Sequence, residues 1–545
     1  MGKTKYIFVS GGVLSGLGKG LITASTSLLL KNHGLKVTPI KCENYLNLDS
    51  GLINPIEHGD PFLCEDGTET DMDIGTYEKF LNEDLTKDSF ITMGQIYKSV
   101  IDKERNFEYK GEDVEAVPHV TDEIINRIKK LALKNKSDVV VIELGGTVGE
   151  YQNALYYEAS RIMKLRDKDT VIHIHVSYLP TPPHLGEPKT KPTQLSVKLL
   201  NGMGIQPDII IARAVSYIDE RRRERFALFC NVDPESIISA QDLKNIYELP
   251  LILEKQNFSN ILLKKLKIKT KKLNITKWKK LVQLIKVPKK HQITLAIVGK
   301  YFSTGDYHLK DSYAALFDAI NHASWSNNTT INIKEINSQK SPKEILKNLK
   351  EVDGIIVPIG WGERGVDGML TAINFARTKK IPYLGLCFGM QLAVVEFARN
   401  VAGLAKAHTT EVDPKTKYPV IHIIPDQIRN LKSRAYGGTM RLGSWDCKVK
   451  ENTLAYQCYR KTDISERHRH RYEFNQDYLE HLTSKGLIIS GKSKKENLVE
   501  IIELSKKDHP FFIGTQGHPE YKSRPLNPHP IFLEFIKACI KNKKM

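Results

Sequence analysis

Two separate stretches of the chain alternate short, continuously apolar runs with helical spacing, the pattern of helices packed on a mostly parallel sheet. In the first stretch, residues 6–9, 37–40, 139–144, 171–176 and 208–212 read as buried strands. The second begins at 294–298 and continues through 354–357, 383–386 and 511–513. Between them lies a Lys-rich segment in which Trp278, Leu281, Leu284 and Ile285 share one face of a helix ending near Val287-Pro288. At 545 residues the chain exceeds a single core. The expectation is an α/β domain over residues 1–270, a linker over 271–292 and a second α/β domain over 293–545.

Composition narrows the class. A hydrophobic fraction of 41% and a charged fraction of 26% are those of an ordinary soluble globular protein. No run of ~18 apolar residues occurs, so no membrane partner is expected. The opening Met1-Gly2-Lys3-Thr4-Lys5 leads into an apolar run too short for a signal peptide, so a cytoplasmic location is expected. The net charge of +18 owes much to lysines between 264 and 290 and to Lys541, Lys543 and Lys544. No aromatic interleaving accompanies them. They read as a solvated surface, and no nucleic-acid partner is expected. Seven scattered cysteines without a CxxC pair argue against a disulfide framework or a structural zinc site, but leave room for a nucleophile.

After the first strand comes Ser10-Gly11-Gly12-Val13-Leu14-Ser15-Gly16-Leu17-Gly18-Lys19-Gly20, then an apolar helical run over 21–30. Glycines let several N–H groups converge on one anion, the helix N-terminus adds partial positive charge, and Lys19 neutralises terminal phosphates. This order points to nucleotide binding. It is not a strict Walker motif, because five residues separate Gly12 from Gly18 and Gly20 stands where a hydroxyl is usual. A magnesium ion would then be held chiefly by carboxylates elsewhere. Glu143 ends an apolar strand just before Gly145-Gly146-Thr147, at the sheet edge where ligands bind. The acidic run from Glu65 to Asp73 is a second source. In the loop 186–194, Lys189 and Lys191 stand two apart between Pro188 and Pro192. In an extended chain they face the same way, as a triphosphate would need.

In the second stretch, Tyr383-Leu384-Gly385-Leu386-Cys387-Phe388-Gly389-Met390-Gln391 reads as strand, exposed cysteine and helix. Such an elbow presents the thiol at the sheet top, with N–H groups nearby for an oxyanion and a helix N-terminus that favours the thiolate. Downstream, Thr515-Gln516-Gly517-His518-Pro519-Glu520 offers His518 as the base for Cys387 and Glu520 to orient the imidazole.

With these residues, the chain resembles the CTP synthases over nearly its whole length, and its second domain resembles class I glutamine amidotransferases. Further motifs carry the resemblance: Glu69-Thr70-Asp71-Met72-Asp73, Glu143-Leu144-Gly145-Gly146-Thr147-Val148-Gly149, Gly437-Gly438-Thr439-Met440-Arg441-Leu442-Gly443 and Glu466-Arg467-His468-Arg469-His470-Arg471-Tyr472-Glu473. The resemblance implies an N-terminal amidoligase domain with a P-loop-type, mostly parallel sheet, and a C-terminal α/β class I glutaminase domain. It places ATP on Gly16, Leu17, Gly18, Lys19, Gly20 and Leu21, with Gln241, Asp242 and Leu243 near the adenine. Asp73 and Glu143 would hold Mg2+. Ser15, Lys189, Thr190, Lys191, Pro192, Thr193, Gln194 and Arg225 would face UTP. Glu150, Tyr151 and Gln152 fall where the product CTP is recognised. Gly360, Phe388, Gly389, Met390, Gln391, Glu411 and Arg471 match positions that bind L-glutamine. The reaction implied is phosphorylation of UTP at O4 followed by displacement with ammonia from glutamine. A homotetramer, filaments, activation by GTP and inhibition by CTP come with the resemblance.

Several positions depart from the family pattern. Ile359 and Trp361 stand in a loop that is usually Pro-Gly-Gly-Phe-Gly, and a β-branched residue resists positive φ. Gly517 replaces a usual Phe, which is expected to thin local packing. Glu150-Tyr151-Gln152 follows Gly149 where Asp-Ile-Glu is usual, Asp113-Val114-Glu115 replaces Thr-Val-Gln, and Arg225 replaces Lys. Retained synthesis with altered CTP inhibition is expected. An amidoligase for another acceptor and a catalytically weakened, filament-forming relative are the rival readings. The first is disfavoured by the lysine-rich 189–194 loop, the second by the retention of Lys19, Glu143, Cys387, His518 and Glu520.

Overall fold

The structure is a computed structural model and describes residues 3–54, 59–184, 186–304, 307–308 and 310–543. The chain forms two compact units, Met1–Leu48 with Thr76–Val282, and Asp49–Gly75 with Gln283–Met545. Among the described residues, no helix is long and apolar enough to cross a membrane.

The first unit is built on seven strands, β1 (Lys5–Gly12), β2 (Val37–Glu43), β3 (Phe90–Thr92), β4 (Val139–Leu144), β5 (Val171–Tyr178), β6 (Ile209–Ala214) and β7 (Ile237–Gln241). Their order is β3-β2-β4-β1-β5-β6-β7, and every pair is parallel. Covered on both faces, such strands read as unbroken apolar runs; all six residues of β4 are buried. Because the strands share one direction, their carboxyl ends line one edge, where ligands of open α/β sheets bind. Helices α1 (Lys19–Asn32), α3 (Lys191–Gly202) and α4 (Thr276–Lys286) matter most below, with α2 (Met72–Leu81), whose first four residues belong to the second unit. In α4, Trp278 and Leu281 are buried as expected, but Val282 completes the face and Leu284 is 38% exposed. Positions 278, 281 and 282 are spaced i, i+3, i+4, which puts 284 on the back. Trp278 Nε1 donates to the carbonyl of Tyr247 at 2.8 Å, anchoring the helix.

The second unit carries a nine-stranded sheet of β8 (His291–Gly299), β9 (Thr329–Asn337), β10 (Gly354–Val357), β11 (Tyr383–Leu386), β12 (Arg441–Val449), β13 (Asp463–His470), β14 (Ile488–Ser493), β15 (Val499–Glu503) and β16 (Phe512–Thr515). The order is β9-β8-β10-β11-β16-β15-β14-β12-β13. Pairing is parallel from β9 to β16 and antiparallel beyond. Helix α5 (Phe388–Asn400) follows β11 directly. At its start Gly389 allows close approach to β10, since a Cβ there would lie 2.0 Å from the Val357 carbonyl oxygen.

The 49–75 segment, early in sequence, completes this second unit. Its short antiparallel pair, Phe62–Leu63 with Glu69–Thr70, is fastened by side chains from β13 and the 518–522 turn. Arg467 donates to the Leu63 carbonyl at 2.7 Å, Arg469 to Glu69 at 2.6 Å, and the Tyr521 hydroxyl to the Pro61 carbonyl at 3.1 Å.

Candidate active sites

At the carboxyl edge of the first sheet, β1 runs into the glycine-rich loop. Gly16 and Gly18 take positive φ there, and Gly18 caps α1 in the left-handed region. Ser15 and Gly16 are exposed, whereas Leu17, Lys19 and Gly20 are buried and Gly18 and Leu21 half-buried. Lys19 Nζ donates to the Gly146 carbonyl at 2.8 Å, so the loop after β4 reaches the phosphate-loop lysine. Glu143 is 1% exposed; its carboxylate accepts from Lys41 Nζ at 2.8 Å and from the Tyr77 hydroxyl. Lys41 also sits 3.1 Å from Glu43. The lysine thus occupies, with its single charge, a place between two carboxylates. Among the described residues, no group of three or more His, Cys, Asp or Glu side chains is placed to hold a metal ion. Asp73 lies in the first turn of α2, four residues before Tyr77 on that helix.

Glu150 accepts from the Thr147 amide at 2.8 Å and hydroxyl at 2.6 Å, while Tyr151 is 97% exposed and Gln152 exposed. Arg213 on β6 donates to the Gln241 carbonyl and to Asp242 at 2.8 Å. Leu243 is half-buried and Arg225 exposed. The expectation that Lys189 and Lys191 flank an extended chain fails. Thr190 has helical angles and α3 begins at Lys191 with Pro192 in its first turn, where proline fits best. Lys189 instead pairs with Glu187. Thr193 and Gln194 are buried, and the Thr193 hydroxyl accepts from Ser177 at 2.8 Å. His175 was not foreseen. It bridges the Ser10 and Ser196 hydroxyls at 2.9 and 2.6 Å, tying α3 to the strand before the phosphate loop. Burial, and then nearby Lys19, push its imidazole down to about 4.

In the second unit, the elbow after β11 holds Cys387 at φ 50 and ψ −100, a strained conformation for a non-glycine residue. All seven cysteines are buried and free, and this one is 3% exposed. The register Leu386↔Thr515 brings the ends of β11 and β16 together. The Cys387 amide donates to the Thr515 carbonyl at 2.8 Å, and the turn carrying His518 begins three residues later. His518 Nδ1 hydrogen-bonds Glu520 at 2.7 Å, while no hydrogen-bond partner for its buried Nε2 is found among the described residues. Burial works to lower the imidazole, but Glu520 and Cys387 outweigh it and push His518 up to about 10. Gln516 Nε2 donates to the Cys387 sulfur at 3.4 Å, a contact that no sequence signal marked.

Gln391 donates to Gln516 at 3.2 Å and to the Tyr472 carbonyl at 2.9 Å. Glu411 accepts from the Gly362 amide at 2.7 Å. Burial pushes its carboxyl up, against the pull of that amide and of Lys300. Arg471 holds Gln427, the Thr439 hydroxyl at 3.0 Å and the Tyr436 carbonyl at 2.6 Å. Met390 packs on β16 beside Gly514.

Comparison with known proteins bears on both halves. Residues 5–268 match the family described as CTP synthase N-terminus, and residues 308–538 match Glutamine amidotransferase class-I. The CTP synthase of Caldanaerobacter subterraneus subsp. tengcongensis is 49% identical over 541 residues, 99% of each chain. That of Clostridium acetobutylicum is 47% identical over 545 residues, 99% of this chain and all of the other. The chain belongs to the CTP synthase family. The solved glutaminase domain of Trypanosoma brucei CTPS with bound acivicin is similar at 34% identity and a TM-score of 0.42, covering 46% of this chain and 94% of that one.

Two departures from the CTP synthase pattern have a clear structural outcome. Positive φ in the 358–365 loop falls on Gly362 and Gly365, so Ile359 carries no such strain and is buried in the core. At Gly517 the packing is not thin: a Cβ would lie 2.8 Å from Glu466 Cβ.

Proposed function

We propose that this chain aminates UTP at C4 to give CTP, driven by ATP and supplied with ammonia from glutamine. The observation that supports it best is the pairing, in one family member, of a lysine-bearing phosphate loop with a strained cysteine beside a His–Glu pair.

The loop Gly16–Leu21 and Lys19 bind the triphosphate of ATP, and Asp242 lies toward the adenine. Ser15, the 189–194 segment and Arg225 hold UTP. Asp73 and Glu143 would hold the magnesium ion, which neutralises phosphate charge. The γ-phosphoryl group passes to O4 of UTP, and positioning and charge neutralisation carry that step. Ammonia then adds at C4 and inorganic phosphate leaves.

In the second unit, the Cys387 thiolate attacks the amide carbon of glutamine. His518, with Nδ1 held by Glu520, uses Nε2 to move the thiol proton to the departing ammonia. Water clears the thioester as glutamate. Gly360, Gln391, Glu411 and Arg471 orient the substrate. Assembly as a cytoplasmic homotetramer able to form filaments, GTP activation and CTP inhibition complete the reading.

The test is the uracil-to-cytosine absorbance change with UTP, ATP and magnesium, driven by glutamine or by ammonium. Cys387→Ala should lower the glutamine-driven rate by at least ~10³-fold and spare the ammonia-driven one. Lys19→Ala should lower both by ~10² or more. A Cys387→Ala protein that still used glutamine would remove the nucleophile from the scheme.

A further inference from the structure

The residue after β8, Lys300, is 1% exposed. Buried lysines are rare unless paired, yet among the described residues no salt bridge engages this one. Its ammonium donates instead to the main-chain carbonyls of Trp361, at 3.0 Å, and Gly362. It also lies 4.4 Å from the centroid of the Phe388 ring, a cation–π distance. Two of these partners belong to the loop that contains Gly360, and the third directly follows Cys387. The lysine stem fills the space below: a Cβ on Gly360 would meet Lys300 Cδ and Cε at 3.0 Å and Phe388 Cδ1 at 3.4 Å.

The amides of the same loop are tied from other directions. Trp361 N–H donates to the Tyr301 hydroxyl at 3.1 Å, and Gly362 N–H to Glu411 at 2.7 Å. The Trp361–Gly362 peptide plane is thus held on both sides, its carbonyl by the ammonium and its amide by Glu411, while the planes before and after it are each held once, by Tyr301 and by the ammonium. Desolvating an ammonium is costly, and charge-assisted bonds to two carbonyls recover part of that cost only if the loop stays put.

We propose that Lys300 is a positioning residue for glutamine hydrolysis, its ammonium clamping the Trp361 and Gly362 carbonyls against Phe388 and so fixing Gly360 next to the nucleophile elbow. This rests on the reading of Cys387 as the glutaminase nucleophile. The clamp is also pH-sensitive. Burial pushes the ammonium down to about 8, with Arg364 acting the same way and Glu411 opposing. Among the described residues, Glu411 and Arg364, which donates to the Lys300 carbonyl, are the charged groups that act on it, and the Tyr313 and Tyr301 hydroxyls accept from the neighbouring Lys300 and Trp361 amides. The charged clamp is complete below that value and is lost as pH rises through it.

The experiment compares Lys300→Met, Lys300→Arg and Cys387→Ala with the wild type in the full chain, measuring glutamine-driven and ammonia-driven CTP formation from pH 6.5 to 9.5. Lys300→Met should lose ~10- to 100-fold in glutamine-driven kcat/KM while the ammonia-driven rate stays within about twofold. The wild-type glutamine-driven rate should decline above about pH 8, and Lys300→Arg, whose charge persists, should move that decline upward. Unchanged glutamine use in Lys300→Met, or a Lys300→Arg profile that keeps the wild-type decline, would overturn the clamp. A Lys300→Met protein that lost both rates would make the lysine a folding determinant and overturn it too. Cys387→Ala separates the two ideas, because glutamine use that survives there removes the nucleophile itself.

Discussion

The Arg469 guanidinium lies 2.6 Å from the Glu69 carboxylate, although 400 positions separate them in sequence. Both are almost fully buried, at 4% and 2% exposure. Desolvating two charges is offset only by good geometry, and removing one partner strands the other. Glu69→Gln should therefore cost about 3–5 kcal/mol, read as a fall in the urea midpoint of the second unit. Replacing both residues, as Glu69→Leu with Arg469→Met, should recover much of that loss. A double variant as unstable as the single one would show that the pair is not the source.

Glu520→Gln removes the charge that, with Cys387, overcomes the burial of His518. The imidazole should then titrate below its ordinary ~6.5, followed by its NMR shift. In the wild type, the stability contributed by the charged ring is complete below ~6.5 and disappears as pH rises through about 10. The variant should lack that limb and lose ~10²–10⁴ in glutamine-driven rate. An imidazole still charged at pH 8 in the variant would contradict this.

Glu150 is engaged with Thr147 while its neighbours Tyr151 and Gln152 point to solvent. Restoring the residues usual in the family, with Glu150→Asp and Gln152→Glu, should tighten CTP inhibition about tenfold, or ~1.4 kcal/mol. Initial rates with added CTP provide the check, and unchanged inhibition would place feedback elsewhere.

Gly517→Ala puts a methyl group 2.8 Å from Glu466 Cβ. Glu466 is itself fixed by the Tyr459 hydroxyl and His529 Nε2, each at 2.8 Å, so it has little room to retreat. Overpacking of this kind costs about 1–3 kcal/mol, visible as a lowered melting temperature. An unchanged midpoint would mean that the strand shifts freely.

The buried parallel strands were legible because burial on both faces leaves unbroken apolar runs, and three of them, 139–144, 354–357 and 383–386, keep the expected ends. The antiparallel half of the second sheet was not. β13 reads Asp-Ile-Ser-Glu-Arg-His-Arg-His, and its buried positions are filled by charges paired with distant partners, so no apolar alternation marks it. β3, at three residues, is too short for any period. Cys387, His518 and Glu520 stood out by residue type and spacing. Lys300, His175 and Gln516 did not, because their roles are set by neighbours far away in the chain.

The 49–75 segment has a practical bearing on how this molecule can be divided. A fragment starting at residue 283 would carry every strand of the nine-stranded sheet yet arrive with Arg467, Arg469 and Tyr521 stripped of acceptors. Swapping this half between relatives by a single cut near the Lys-rich helix would therefore splice mismatched surfaces. A transplant that keeps its own residues 49–75 is the one that should travel intact.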